Sequence, residues 1–434
     1  MIGTGVFTSL GFQVGGLPTG FSLMALWFIG GICALCGALS YAELGAALPR
    51  SGGEYNFLSQ IYHPAVGFLA GWISVTVGFA APVAIAALPF GTFLSDLFPG
   101  LPSFSLGSYA VTPTIYLSLA LIALATLFLL RDVKLGSAFQ NASTILKVVL
   151  VLVIIAAGLF APASQPISFL PAKGDGALML SPAFAISLYW VMYAYSGWNA
   201  STYIVGEVKD PARTIPLSVI LGTLIVMALY LGVNAAFLHS TPEAEMAGKP
   251  QVALVAGTHL FGQAGGKIMA VFICIGLIST VSSMMWIGPR VTVVMGEDLK
   301  AFSWLAVKTQ AGIPGRAILV QAAIAIVLVL NAKFQSVVNY VQFALTLSSA
   351  LVVAGVFVLR WRQPNLERPY RTWGYPITPL IFLAISAWMM WYMLREKETR
   401  DPSLLGLATV AAGLIVYFLS PKTSSVRPSS VPVS

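Results

Sequence analysis

Charge is what this sequence has least of. Of its 434 residues 9% are Asp, Glu, Lys or Arg and 58% are hydrophobic, against roughly a quarter charged in soluble proteins. That scarcity excludes a water-soluble fold. Histidine is almost missing too: His63, His239 and His259 all fall at the ends of apolar runs. The runs hold neither an HExxH motif nor paired aspartates, so a membrane-embedded enzyme, the different-class alternative, has no base or metal centre to stand on. Cysteine is limited to Cys33, Cys36 and Cys274, all inside apolar runs, which implies no disulfide framework. The CxxC pair has no partner His or Cys and reads as helix packing. No metal and no cofactor is expected. The net charge of +8 sits in short connections with no continuous basic stripe, which excludes nucleic acid as a partner.

What is abundant is uninterrupted apolar chain. No charge occurs over residues 1–42, 64–95, 97–130, 148–172, 176–206 or 268–289, and each stretch can cross a hydrocarbon core needing about 20 apolar residues. The runs show no alternation of apolar and polar positions, which excludes an outer-membrane barrel. The fold class is therefore an all-α membrane protein. Runs and their breakers place spans at residues 1–14, 21–48, 56–94, 113–130, 136–160, 181–206, 214–238, 266–296, 316–331, 335–360, 376–394 and 403–419. With the amino terminus cytoplasmic, inner connections hold fifteen Lys and Arg and outer ones seven, with Lys147 left inside a span. The positive-inside rule then fixes the orientation, with a cytoplasmic C-terminus. Residues 420–434, rich in Ser, Pro and Val, are too polar to pack and read as a disordered tail.

Two spans carry glycines where a helix does not want them. The first is Ile2-Gly3-Thr4-Gly5-Val6-Phe7; the second is Tyr193-Ala194-Tyr195-Ser196-Gly197-Trp198-Asn199 in the sixth span. Breaks at corresponding places in two halves point to a transporter built from inverted repeats, with substrate held at unwound backbone. Close packing through small residues is the alternative. Lys147, in the middle of the fifth span, costs about 2.5–3.5 kcal/mol to insert and reads as functional.

These segments resemble a known family. Gly3-Thr4-Gly5-Val6-Phe7, Tyr41-Ala42-Glu43-Leu44-Gly45, Pro49-Arg50-Ser51-Gly52-Gly53-Glu54-Tyr55, Ser196-Gly197-Trp198-Asn199, Glu207-Val208-Lys209-Asp210-Pro211 and Arg368-Pro369-Tyr370-Arg371-Thr372-Trp373-Gly374-Tyr375-Pro376 are similar to bacterial amino acid permeases of the APC superfamily, in the branch that resembles L-type amino acid transporters. The resemblance runs from the first span to the eleventh. It implies a LeuT-type fold of about twelve helices: a first repeat at 1–160, a second at 181–360, and accessory spans at 376–419. In the family a half-helix precedes the Ile-Gly-Thr-Gly segment, so the first span is expected to be truncated at its N-terminus and Met1 to be a misplaced start.

A zwitterion in a dry pocket needs donors for its carboxylate and acceptors for its ammonium. The backbone N–H groups around Thr4, Gly5 and Val6, at the positive end of a helix, suit the carboxylate, with glycine allowing close approach. Freed carbonyls of Ile2, Tyr193, Ala194 and Ser196 suit the ammonium. The resemblance puts the same roles at these positions and makes Tyr193 the aromatic that caps the substrate. Gly197 and Asn199 complete the expected set, Asn199 serving either substrate or helix glue. The resemblance also places Lys147 where sodium sits in sodium-dependent relatives, touching the first and eighth spans, and so implies sodium independence. Lys147 either exchanges a proton during the cycle or stays charged and only ties those spans together. Ser279, Ser282 and Ser283 are its expected polar neighbours, and Tyr230 the hydroxyl that bridges it to the pocket. Glu43 and Glu207 are expected to pair with inner-loop arginines.

With no mid-span carboxylate near the breaks, neutral amino acids are the expected substrates, moved by exchange or proton symport. Transport of cationic amino acids or polyamines is the alternative. The expected surroundings are a cell inner membrane and its lipid, with no obligatory protein partner.

Overall fold

The computed structural model describes residues 1–107, 109–131, 133–331 and 334–420; the expected disordered tail lies outside them, apart from Ser420. In chain order the helices are α1 Thr4–Gln13, α2 Gly20–Ala47, α3 Glu54–Ile61, α4 Pro64–Ile73, α5 Ala80–Leu97, α6 Pro113–Arg131, α7 Val133–Phe160, α8 Asp175–Leu178 and α9 Pro182–Tyr195. Then come α10 Pro211–Ser240, α11 Glu243–Met246, α12 Val252–Asp298, α13 Gly315–Asn331, α14 Phe334–Arg362, α15 Ile377–Arg395 and α16 Lys397–Leu419. The sole sheet among the described residues is a hairpin, β1 Phe104–Leu106 with β2 Tyr109–Val111.

Local chemistry sets many of the helix starts. The Thr19 hydroxyl accepts from the Ser22 N–H at 3.1 Å and the Ser181 hydroxyl from Phe184 at 3.2 Å, each satisfying a donor that a first turn leaves orphaned. Pro64, Pro182 and Pro211 stand at first helical positions, where a missing N–H costs nothing. The expected third span does not begin at residue 56. It is divided at His63, whose ring caps α4, and a π-helical turn over Ser74–Gly78 joins α4 to α5. The eighth span is longer than expected because α12 extends back to Val252 across a kink at Gly262, where φ is +71°.

Nine helices among the described residues are long and apolar enough to cross a membrane. The first and sixth spans and α13 are shorter. Apolar side chains such as Leu124, Leu127, Ile145, Leu152, Ile225 and Leu319 are exposed, as expected where the solvent is lipid. The chain is an all-α, multi-pass membrane protein. Its interior is built by α2 against α10, α5 against α12, and α1 against α9. Trp27, Tyr195 and Tyr230 meet there with ring centroids 5.0–6.1 Å apart, and the Trp27 indole donates to Gln13 at 2.9 Å.

Candidate functional site

Helix α1 begins at Thr4 from an extended Gly3 with no side-chain cap, so the orphan N–H groups of its first turn are left to other acceptors. The sixth span breaks as expected. Helix α9 ends at Tyr195, Ser196 turns extended, and Gly197 takes φ +90°, which favours glycine. The chain then resumes as a 3₁₀ helix over Ala200–Glu207. These two breaks face each other. The Thr4 and Tyr193 hydroxyls are hydrogen-bonded, and Ile2, Gly3, Thr4, Gly5, Tyr193, Ala194 and Ser196 line one cavity of about 420 Å³ together with Lys147 and Thr280.

Several expected roles change in three dimensions. A Cβ on Gly5 would collide with Ala194, whereas one on Gly3 makes ordinary contact with Thr280 at 3.6 Å and Met1 O at 3.8 Å. Gly5 is therefore needed for the approach of α1 to α9, while it also lines the cavity. Val6 is wholly buried and does not line the cavity. The Tyr193 carbonyl accepts from the Ser196 N–H at 3.0 Å and the Ala194 carbonyl from the Tyr230 hydroxyl at 3.0 Å, so neither is a freed acceptor. Gly197 and Asn199 line a second, smaller cavity on the other side of the break, with Glu54, Gln342 and Thr346. Asn199 donates to Glu54 and to the Tyr203 hydroxyl at 3.3 and 3.2 Å, which makes it a tie between elements.

The surroundings of Lys147 also differ from expectation. Its ammonium donates to Thr280 Oγ1 at 3.3 Å, and it forms no ion pair among the described residues. Ser279 and Ser283 instead donate to Gln140 Oε1 at 2.9 and 2.7 Å. Ser282 turns to an apolar groove beside Phe90 and Leu121, two residues and so about 200° around the helix from Thr280. Tyr230 reaches Met1 O at 2.9 Å as well as Ala194 O, bridging the two breaks rather than Lys147 and the pocket. Gln140 and Thr144 were not anticipated, yet both line the cavity. The signal was available: 140, 144 and 147 are spaced i, i+4, i+7 and share one helix face.

Charged groups cluster toward the end of the bundle where α2 ends and α3 begins. Buried Glu43 takes Arg360 at 2.6 Å, the Thr372 N–H and hydroxyl at 2.7 Å each, and lies 3.4 Å from Arg368. Glu207 pairs with Arg290 at 2.7 Å, and both acids behave as expected. Arg50 makes a two-pronged pair with Asp298 at 2.7 and 3.0 Å. Glu54 was missed by sequence reasoning because it lies outside the assigned spans. Burial pushes its carboxyl up from the ordinary carboxylate range, against hydrogen bonds from Ser348, Tyr41, Ser349 and Asn199.

Apolar helices interrupted around a cavity that presents a helix N-terminus on one wall and a buried ammonium on another define a membrane transporter. The chain belongs to the amino acid permease family, whose model, described as "Amino acid permease", matches residues 1–418. It is 29% identical to the b(0,+)-type amino acid transporter 1 of Homo sapiens, over 96% of this chain and 84% of that protein. It is also 29% identical to the serine/threonine exchanger SteT of Bacillus subtilis, over 96% and 93% respectively. The large neutral amino acids transporter small subunit 2 of Mus musculus is 28% identical over 96% of this chain and 78% of its own length. The family is one of transporters, and the chain is not an enzyme.

Proposed function

We propose that this permease carries neutral amino acids across the cytoplasmic membrane without sodium, by exchange or proton symport. The observation that carries the reading is the cavity in which the uncapped start of α1 faces the broken end of α9 and Lys147. A substrate carboxylate there meets backbone N–H groups at the positive end of a helix. Lys147 supplies an ammonium at this wall, which leaves no need for sodium. Glu54, the acid nearest the break, already accepts from four neutral donors, so it offers little to a cationic side chain. Relatives named for serine and threonine and for large neutral amino acids support a neutral substrate, while the b(0,+) name does not decide it.

In this reading residues 1–160 and 181–360 are two inverted repeats of a LeuT-type fold, residues 376–419 are accessory, and the C-terminus is cytoplasmic. Ile2, Gly3, Thr4 and Ser196 hold the substrate, with Tyr193 covering it. Counterflow of labelled serine or leucine into proteoliposomes tests the proposal. Uptake is expected with equal rate in sodium and in choline buffer, and is inhibited better by unlabelled serine, alanine or leucine than by lysine or glutamate. Stronger inhibition by lysine would replace the neutral substrate with a cationic one, and uptake that rises steeply with sodium would remove the role given to Lys147.

A further inference from the structure

Four consecutive residues, Ser51 to Gly53 before α3 and Glu54 at its first position, all address the segment that follows the α9 break. The Ser51 hydroxyl accepts from the Gly206 N–H at 2.9 Å. The Gly52 N–H donates to the Tyr203 carbonyl at 3.3 Å. Gly53, at φ +51°, lies where a Cβ would run into the Tyr203 ring. Glu54, 1% exposed, accepts from Asn199 at 3.3 Å. The same carboxylate accepts from Tyr41 of α2 at 2.6 Å and from Ser348 and Ser349 of α14 at 2.6 and 3.2 Å. Tyr41 in turn packs edge-on against Trp198, with ring centroids 4.7 Å apart.

The 3₁₀ segment thus has its entry at Asn199, its middle at Tyr203 and its exit at Gly206 all tied to residues 51–54. Glu54 adds something the backbone contacts do not. One ionised carboxylate can accept from four donors at once, whereas an amide of the same shape offers one accepting oxygen and brings a donor of its own among the donors already there. A buried carboxyl group met only by neutral hydroxyl and amide partners also loses its compensation quickly when any of them moves. Its geometry therefore constrains α2, α14 and the break together.

We propose that Glu54 is a positioning residue of the transport site: through Asn199 it holds the Ser196–Asn199 break in the shape that receives substrate, with Ser51, Gly52 and Gly53 as the backbone clamp. The inference rests on the assignment of the break to substrate binding. It is tested by counterflow kinetics on purified wild type, Glu54→Gln, Asn199→Ala, the double variant and Glu54→Asp, each first checked for a monodisperse folded peak in detergent. Leaving buried donors at Glu54 without their acceptor is expected to raise the half-saturating substrate concentration about tenfold in Glu54→Gln. Asn199→Ala moves it the same way, and the double variant is no worse than the more severe single, because both remove one interaction. Glu54→Asp recovers part of the loss.

A half-saturating concentration unchanged in folded Glu54→Gln overturns the proposal, as do effects of the two single variants that multiply in the double. Should Glu54→Gln fail to fold, Asn199→Ala decides: it keeps three of the four donors on the carboxylate, and wild-type kinetics there overturn the proposal. Absence of counterflow in the wild type instead overturns the transport reading itself.

Discussion

Lys147 and Glu43 are both charges inside membrane helices, and the protein treats them in opposite ways. Glu43 is met on every side: two arginines, a backbone N–H and a hydroxyl converge on it, and Arg360 in addition stacks 3.8 Å above the Tyr375 ring. Lys147 is given one hydroxyl, that of Thr280, and a cavity. An ammonium has three donors, so the remainder of its need is left to whatever the cavity holds. A buried charge whose partners are all supplied by the chain works as a strut joining α2, α14 and the segment after it. A charge left part-satisfied at a cavity costs stability and is kept for function.

Breaking the strut should give the largest effect on the fold. Glu43→Ala leaves Arg360 and Arg368 facing each other without their anion, and removing one partner of a buried ion pair costs about 3–5 kcal/mol. A large drop in the midpoint of thermal unfolding in detergent, with little folded protein recovered, is the expected outcome. A midpoint close to wild type would mean that the arginines find water or lipid phosphate instead, and the contrast with Lys147 would lose its basis.

The second comparison reverses the sign. Lys147→Ala removes a charge the fold has not paired, so thermal stability should stay equal or rise. Counterflow should fall at least about tenfold, equivalent to roughly 1.4 kcal/mol, and the dependence of the remaining transport on pH should change. Full transport by Lys147→Ala would reduce Lys147 to a tie between α7 and α12.

The smallest effect sharpens the picture of the two breaks. The Tyr230 hydroxyl joins Met1 O to Ala194 O, and Tyr230→Phe removes it while keeping the ring among Trp27 and Tyr195. A loss of about 1 kcal/mol is expected, read as a roughly fivefold rise in the half-saturating substrate concentration with stability little changed. A variant that instead mimics Lys147→Ala would restore the bridging role first expected of this hydroxyl.

The spans were legible because bilayer physics acts on one variable, the length of an apolar run. Their ends were legible to within a few residues, except where a local device intervened, such as the cap of His63 on α4 or the left-handed Gly262 in α12. The break in the sixth span was also legible, since Gly197 does adopt the conformation that favours glycine. Less legible were the roles of individual polar groups. Gly5 carried the same signal as Gly197 but serves packing against Ala194, and the three serines of the eighth span expected beside Lys147 gave way to Thr280.

What the sequence determined by itself was therefore the solvent, the apolar runs, the places where helices fail, and the one lysine left inside a span. Each follows from composition or from local backbone preference. What only the tertiary structure decided was pairing: Asn199 with Glu54, Tyr230 with the two breaks, Gln140 with Ser279 and Ser283, and Arg368 with Glu43. The separation along the chain between these partners runs from 36 residues, between Tyr230 and Ala194, to 325, between Glu43 and Arg368. A hydrogen bond depends on a few tenths of an ångström and on helical phase, and neither is fixed until the helices are packed.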